Sequence, residues 1–143
     1  MEALMTLDCS AYSESIADIL RIFQQIGWLI HNPQGKVEYL PIGDDDKYDW
    51  QCDEISKSEL YDIISKKIES KEQIGVNLFY RNGTEGISLM AYDTSQIILS
   101  LTINRKTVKG KYTDMSWYLE NIVYKLLNTD VRLLSYKIEE YED

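Results

Sequence analysis

Histidine occurs once in this 143-residue chain, and cysteine, phenylalanine and proline occur twice each. His31 has no HxH, HxxE or cysteine spacing around it, so neither a metal site nor a general base has a recognisable start. Cys9 and Cys52 are too few and too far apart for a disulfide framework or a metal knuckle, and they read as two reduced thiols. The seven glycines are scattered: no GxGxxG opens a helix and no GxxxxGK[ST] is present, so nucleotide phosphates lack a cradle. No apolar run approaches the roughly 20 residues needed to span a bilayer. The N-terminal MEALMTLDCS lacks the basic-then-apolar order of a secretion signal, and the expectation is a cytoplasmic protein. Without a repeat, a low-complexity stretch or a Pro/Gly-rich linker, residues 1–143 read as one domain. A chain of this length buries roughly 68% of its unfolded surface.

Positive charge is also scarce. Fifteen Lys and Arg stand against 24 Asp and Glu, giving a net charge of −9 and an isoelectric point near 4.6. Phosphates would repel such a surface, which argues against direct binding to nucleic acid. Anionic membranes are disfavoured for the same reason. The aromatics, by contrast, are plentiful and biased: eleven Tyr and three Trp. Both pair an apolar body with a polar tip, suiting half-buried positions and interfaces.

Ile16, Ile19, Leu20, Phe23 and Ile26 recur at helical spacing and predict a helix over about residues 12–25, ended by Gly27. WLIHN and KVEYLPI flank Pro33-Gln34-Gly35 and read as a hairpin. Ser56 and Glu59 form an S-x-x-E capping box, with Ile55 and Leu60 at the staple positions. Leu60, Ile63, Ile64 and Ile68 then make the apolar stripe of a second helix. From Ile74 the period changes to two. IGVNLFY, GISLMAY and QIILSLTI predict three consecutive strands joined at Asn82-Gly83 and Asp93-Thr94-Ser95. Arg105, Lys106, Lys109 and Lys111 decorate a basic loop. Thr113 or Asp114 caps a third helix with the stripe Met115, Tyr118, Leu119, Ile122 and Leu126, and VRLLSYKIE closes as a strand. The order α-ββ-α-βββ-α-β predicts an α+β fold: about three helices on a mostly antiparallel sheet with a central three-strand meander.

The densest signal is GDDDKYDWQCDE, residues 43–54. Asp44, Asp45, Asp46, Asp49, Asp53 and Glu54 face only Lys47, and Tyr48 and Trp50 sit among them. Read as an EF-hand from Asp44, the segment fails: Tyr48 takes position 5, Asp49 position 6 and Ile55 position 12. No metal and no cofactor is therefore expected. Two uses of the segment remain open. It suits a solvated loop that raises solubility, with Trp50 tying it to the core. It equally suits a surface for cationic side chains, on which clustered charges steer the encounter and Tyr48 and Trp50 supply the desolvated contact. On the second use, Asp44, Asp45, Asp46, Tyr48, Asp49, Trp50, Asp53 and Glu54 are the candidate partner-binding residues, and catalytic residues are not expected.

YLPIGDDDKYDW (residues 39–50), INRK (103–106) and TDMSWYLENIV (113–123), with the α/β order between them, give the chain a resemblance. It resembles the small acidic immunity proteins of bacterial polymorphic toxin systems, over most of its length from about Ile26 onward. The resemblance implies a cytoplasmic protein, not an enzyme, that binds a cognate toxin domain, often a basic nuclease, and neutralises it by stoichiometric occlusion. Interfaces in that family diversify with the toxin, so the resemblance carries over no contact residues. A monomer is the default expectation. The competing expectation is a phage or mobile-element inhibitor whose carboxylates imitate nucleic acid and block a restriction or CRISPR nuclease.

Overall fold

In a computed structural model, which describes residues 2–142, the chain builds an eight-stranded antiparallel sheet with helices on one face. Strand β1 is Glu2–Asp8, β2 Trp28–Leu29, β3 Val37–Tyr39, β4 Gln51–Asp53, β5 Ile74–Tyr80, β6 Gly86–Ala91 and β7 Ile97–Ile103. A small separate ribbon pairs β8, Thr107–Val108, with β9, Tyr112–Thr113, and β10 is Ser135–Tyr141. Helix α1 spans Ile16–Gln25 and α2 Lys57–Glu69. The third helical unit is α3, Met115–Tyr118, a π-helical turn Leu119–Val123 and α4, Tyr124–Leu127. The main sheet runs β10-β1-β7-β6-β5-β3-β4, with β2 also pairing β5. The fold is thus α+β, with the predicted meander β5-β6-β7 at its centre.

The face under the helices holds the core. Ala3, Met5 and Leu7 of β1, Val76 and Leu78 of β5, Ile87 and Leu89 of β6 and Ile97, Leu99 and Leu101 of β7 are all buried. They form one cluster with Ile19, Leu20 and Phe23 of α1, Leu60 and Ile64 of α2 and Tyr118, Ile122 and Leu126. Each of the Val, Leu, Ile, Met and Phe side chains among them contributes roughly 1.5–3 kcal/mol by leaving water. The opposite face carries no helix. Leu4, Thr6, Asn77, Ser88, Met90, Ile98 and Ser100 lie there, half-buried, as strict alternation with the core positions requires.

Several expectations need correction. β1 was not foreseen: EALMT is rich in helix formers, and its strand state comes from pairing β7 on one side and β10 on the other. The first helix starts at Ile16, with Ser15 at its N-cap, and ends as expected before Gly27 at φ +108°. The first hairpin is reduced to one bridge, His31 to Val37, because β2 and β3 both pair β5. The basic loop folds back as the β8-β9 ribbon. In α2 the Ser56 hydroxyl accepts from Glu59 N–H at 3.1 Å as the cap predicts. Yet Lys67 takes the buried place given to Ile68, which is 41% exposed.

Candidate functional site

The acidic segment joins β3 to β4, the last strand at one end of the sheet. It is not one open loop, since Gln51, Cys52 and Asp53 form β4 against Tyr39, Glu38 and Val37. Its base is fastened to the helix-free face. A Cβ on Gly75 would lie 2.6 Å from Leu40 Cδ1 and 3.1 Å from Trp50 Cη2, so both side chains rest where that glycine has none. Leu40 is buried and its N–H donates to the Gly75 carbonyl at 2.9 Å. Trp50 is half-buried and therefore ties the loop down, the alternative its sequence left open.

Beyond Gly43 the chain turns tightly. Asp45, Asp46 and Tyr48 hold φ of +52°, +54° and +56°, conformations that side chains with a Cβ resist. Asp44 makes this possible. Its carboxylate accepts the N–H groups of Tyr48 at 3.0 Å and Asp49 at 2.8 Å, and its carbonyl accepts Lys47 N–H at 3.1 Å. The residue is buried, so Asp44 is a brace within the loop and leaves the outward-facing set proposed from sequence. Glu72 braces the loop from below by accepting Gly43 N–H at 2.6 Å. Lys67, fully buried beneath, donates to the Pro41 carbonyl at 2.7 Å and lies 3.7 Å from Glu72. Burial holds the Lys67 ammonium below the usual lysine range, an effect that Glu72, Asp44 and Asp46 partly offset.

The remaining acids face outward in two ways. Asp46 accepts the Tyr92 hydroxyl at 2.6 Å, and Asp53 accepts the Tyr39 hydroxyl at 2.8 Å. Both phenols are pushed up to about 12, Tyr92 chiefly by its bond to Asp46 and Tyr39 chiefly by burial. Asp45, Asp49 and Glu54 are exposed, and so is Tyr48, at 51%. Among the described residues none of these five acids forms an ion pair within 4.0 Å. Three cations of the basic segment pair elsewhere: Arg105 with Glu140 at 3.3 Å, Lys106 with Glu85 at 4.0 Å and Lys111 with Glu142 at 3.8 Å.

Between the loop, the end of α2 and the end of β6 lies a cleft of about 190 Å³, lined by Asp45, Asp46, Lys67, Lys71, Gln73 and Tyr92 among others. Lys67, Glu72, Gln73 and Tyr92 were missed from sequence. Only the fold brings them to residues 44–46, and no local spacing could have announced it. Among the described residues no three His, Cys, Asp or Glu side chains converge to hold a metal ion. His31 lies with Nε2 3.1 Å from the Ile55 carbonyl. Cys9 is buried, its thiol pushed up to about 12 by burial, while Cys52 is exposed on β4. No described helix is long and apolar enough to cross a membrane.

The arrangement is an internally braced anionic loop with an exposed Tyr48, and with Tyr92, also exposed, bonded to its Asp46. Compared with known proteins, the chain matches no family model, no curated protein and no solved structure.

Proposed function

We propose that this chain is an immunity protein: it binds a cognate bacterial toxin domain with a basic, nuclease-like surface and neutralises it by stoichiometric occlusion. One observation carries the reading. Asp45 and Asp49 flank Tyr48 in the loop and Glu54 follows β4; among the described residues none of the three acids forms an ion pair within 4.0 Å, and Tyr48 is a half-exposed aromatic held at φ +56° by a loop braced from within. Strained backbone retained around an exposed aromatic is a mark of functional surfaces. A braced loop also loses little backbone conformational entropy on binding, so charge and ring are offered at a reduced ordering cost. The carboxylates would steer a cationic partner and exclude RNA or DNA from it, while Tyr48 slows escape. No catalytic role is assigned to any residue, and the cytoplasm is the compartment such a protein would need.

The test is association kinetics with the C-terminal domain of the large secreted protein expected in the adjacent reading frame. Replacing Asp45, Asp49 and Glu54 with Asn, Asn and Gln should lower the association rate about tenfold at low salt and flatten its salt dependence. Folding should be retained. Rates that ignore both salt and these substitutions would remove the acidic loop from the mechanism.

A further inference from the structure

The last strand, β10, lies at the other end of the sheet from the acidic loop. Its inner side pairs β1 in unbroken register, from Glu2 opposite Tyr141 to Asp8 opposite Ser135. Among the described residues no strand pairs its outer side. Seven residues of regular strand, without proline, glycine or bulge, form a ready template for another strand, which natural proteins normally blunt or cover. The β8-β9 ribbon does not fill that place. It touches β10 through Thr113, whose N–H and hydroxyl donate to Glu140. Around the edge Leu134, Tyr136, Tyr141 and Tyr112 are each 44–52% exposed.

The sequence of the strand says what covers it. SYKIEEY is complementary to itself when two copies run antiparallel about Ile138. Lys137 then stands opposite Glu139 of the second copy, and Glu139 opposite its Lys137. Both pairs fall on the helix-free face. On the other face Ile138 meets Ile138 at the axis and Tyr136 meets Glu140, a phenol that can donate to a carboxylate. Ser135 meets Tyr141. No like charges oppose one another. A two-fold contact needs such a patch, one that fits its own copy, and cross-strand pairs of opposite charge stabilise a ladder where like pairs disrupt it. In the single chain Lys137 lies 3.0 Å from Glu139 on the same strand, so both groups are already held on the face where the second copy would present theirs.

We propose that β10 is a homodimerisation edge, joining two copies antiparallel about Ile138 into one continuous sheet. The two acidic loops then lie at the far ends of the dimer, free for partners, so this inference stands apart from the proposed function.

The test is mass measurement by sedimentation in the analytical ultracentrifuge and by light scattering, over a concentration series reaching about 1 mM chain, which detects dissociation constants up to that order. The expected result is a mass that rises from one chain to two. Lys137→Glu alone and Glu139→Lys alone should each weaken the dimer about tenfold or more, by placing two like pairs across the axis. The double variant should recover it. Mixing the two single variants should give a heterodimer that neither forms alone, although both remain net acidic. Circular dichroism confirms that each variant is folded, and unfolded singles leave the double variant to decide. A single-chain mass throughout the series overturns the proposal. So does a dimer indifferent to these charges, or one that the single variants weaken and the double variant does not restore.

Discussion

Asp44 separates a carboxylate that builds the acidic loop from those that face a partner, and replacing it with alanine tests that division. The substitution removes the acceptor of two backbone N–H groups, at 2.8 and 3.0 Å. A hydrogen bond to a charged group is worth roughly 1.5–3 kcal/mol, and because water can reach a surface loop the low end applies to each. Against this stands relief of the repulsion between Asp44 and its neighbours Asp45, Asp46 and Asp49, which at near-aqueous dielectric is about 1 kcal/mol for charges 4 Å apart and less at greater distances. The hydrogen bonds win, and the net loss should be about 2–3 kcal/mol. For a chain of this size that is a fall of about 5–10 °C in Tm. Asp44→Asn keeps one acceptor but turns an amide N–H toward the second donor, so its loss should be smaller. Asp45→Asn and Asp49→Asn, both exposed, should stay within about 0.5 kcal/mol of the parent. Urea denaturation followed by circular dichroism measures all four. If Asp44→Ala proves as stable as Asp45→Asn, the brace does not exist and the loop is shaped by something else.

Two further outcomes follow from the same geometry. Gly75→Ala drives a methyl to 2.6 Å from Leu40 and 3.1 Å from Trp50, and should cost about 1–3 kcal/mol by overpacking while shifting tryptophan emission; unchanged Tm and spectrum would mean that the loop does not rest there. At high pH, Tyr39 and Tyr92 ionise near 10 when unfolded but near 12 when folded. Their stabilising contribution is therefore complete below about 10 and disappears as pH rises toward 12, because the unfolded state gives up these protons first. Lys67, whose proton is held less tightly in the fold, acts in the opposite sense, but it is common to both proteins compared. Urea midpoints measured from pH 9 to 12 should fall less steeply in Tyr92→Phe than in the parent. Parallel curves would count against the Tyr92–Asp46 bond.

Where the chain repeats a local period, the sequence was enough. The alternation through Ile97, Leu99 and Leu101, the stripe of α1 and the Ser56 cap each report a face or a terminus that neighbouring residues define, and each stands where expected. β1, β4 and the β8-β9 ribbon were not legible, because short or helix-prone segments become strands only when a partner strand supplies their hydrogen bonds. Ile68 was preferred to Lys67 for a related reason: position 67 follows Leu60 and Ile64 on the buried stripe, but a lysine reads as surface until the loop carbonyl of Pro41 arrives to receive the ammonium.

The candidate site divides in the same way. Composition alone determined that residues 43–54 are strongly anionic, with two aromatic rings among them. Which acids look outward was decided in three dimensions. Asp44 turns in because Tyr48 and Asp49 need an acceptor, Asp46 meets Tyr92 just after β6, Asp53 meets Tyr39 of the neighbouring β3, and Trp50 lies on Gly75. Charge is a property of residues and survives any arrangement. Exposure and pairing depend on which groups the fold brings within a few ångströms, and contacts across tens of residues leave no local periodicity to read.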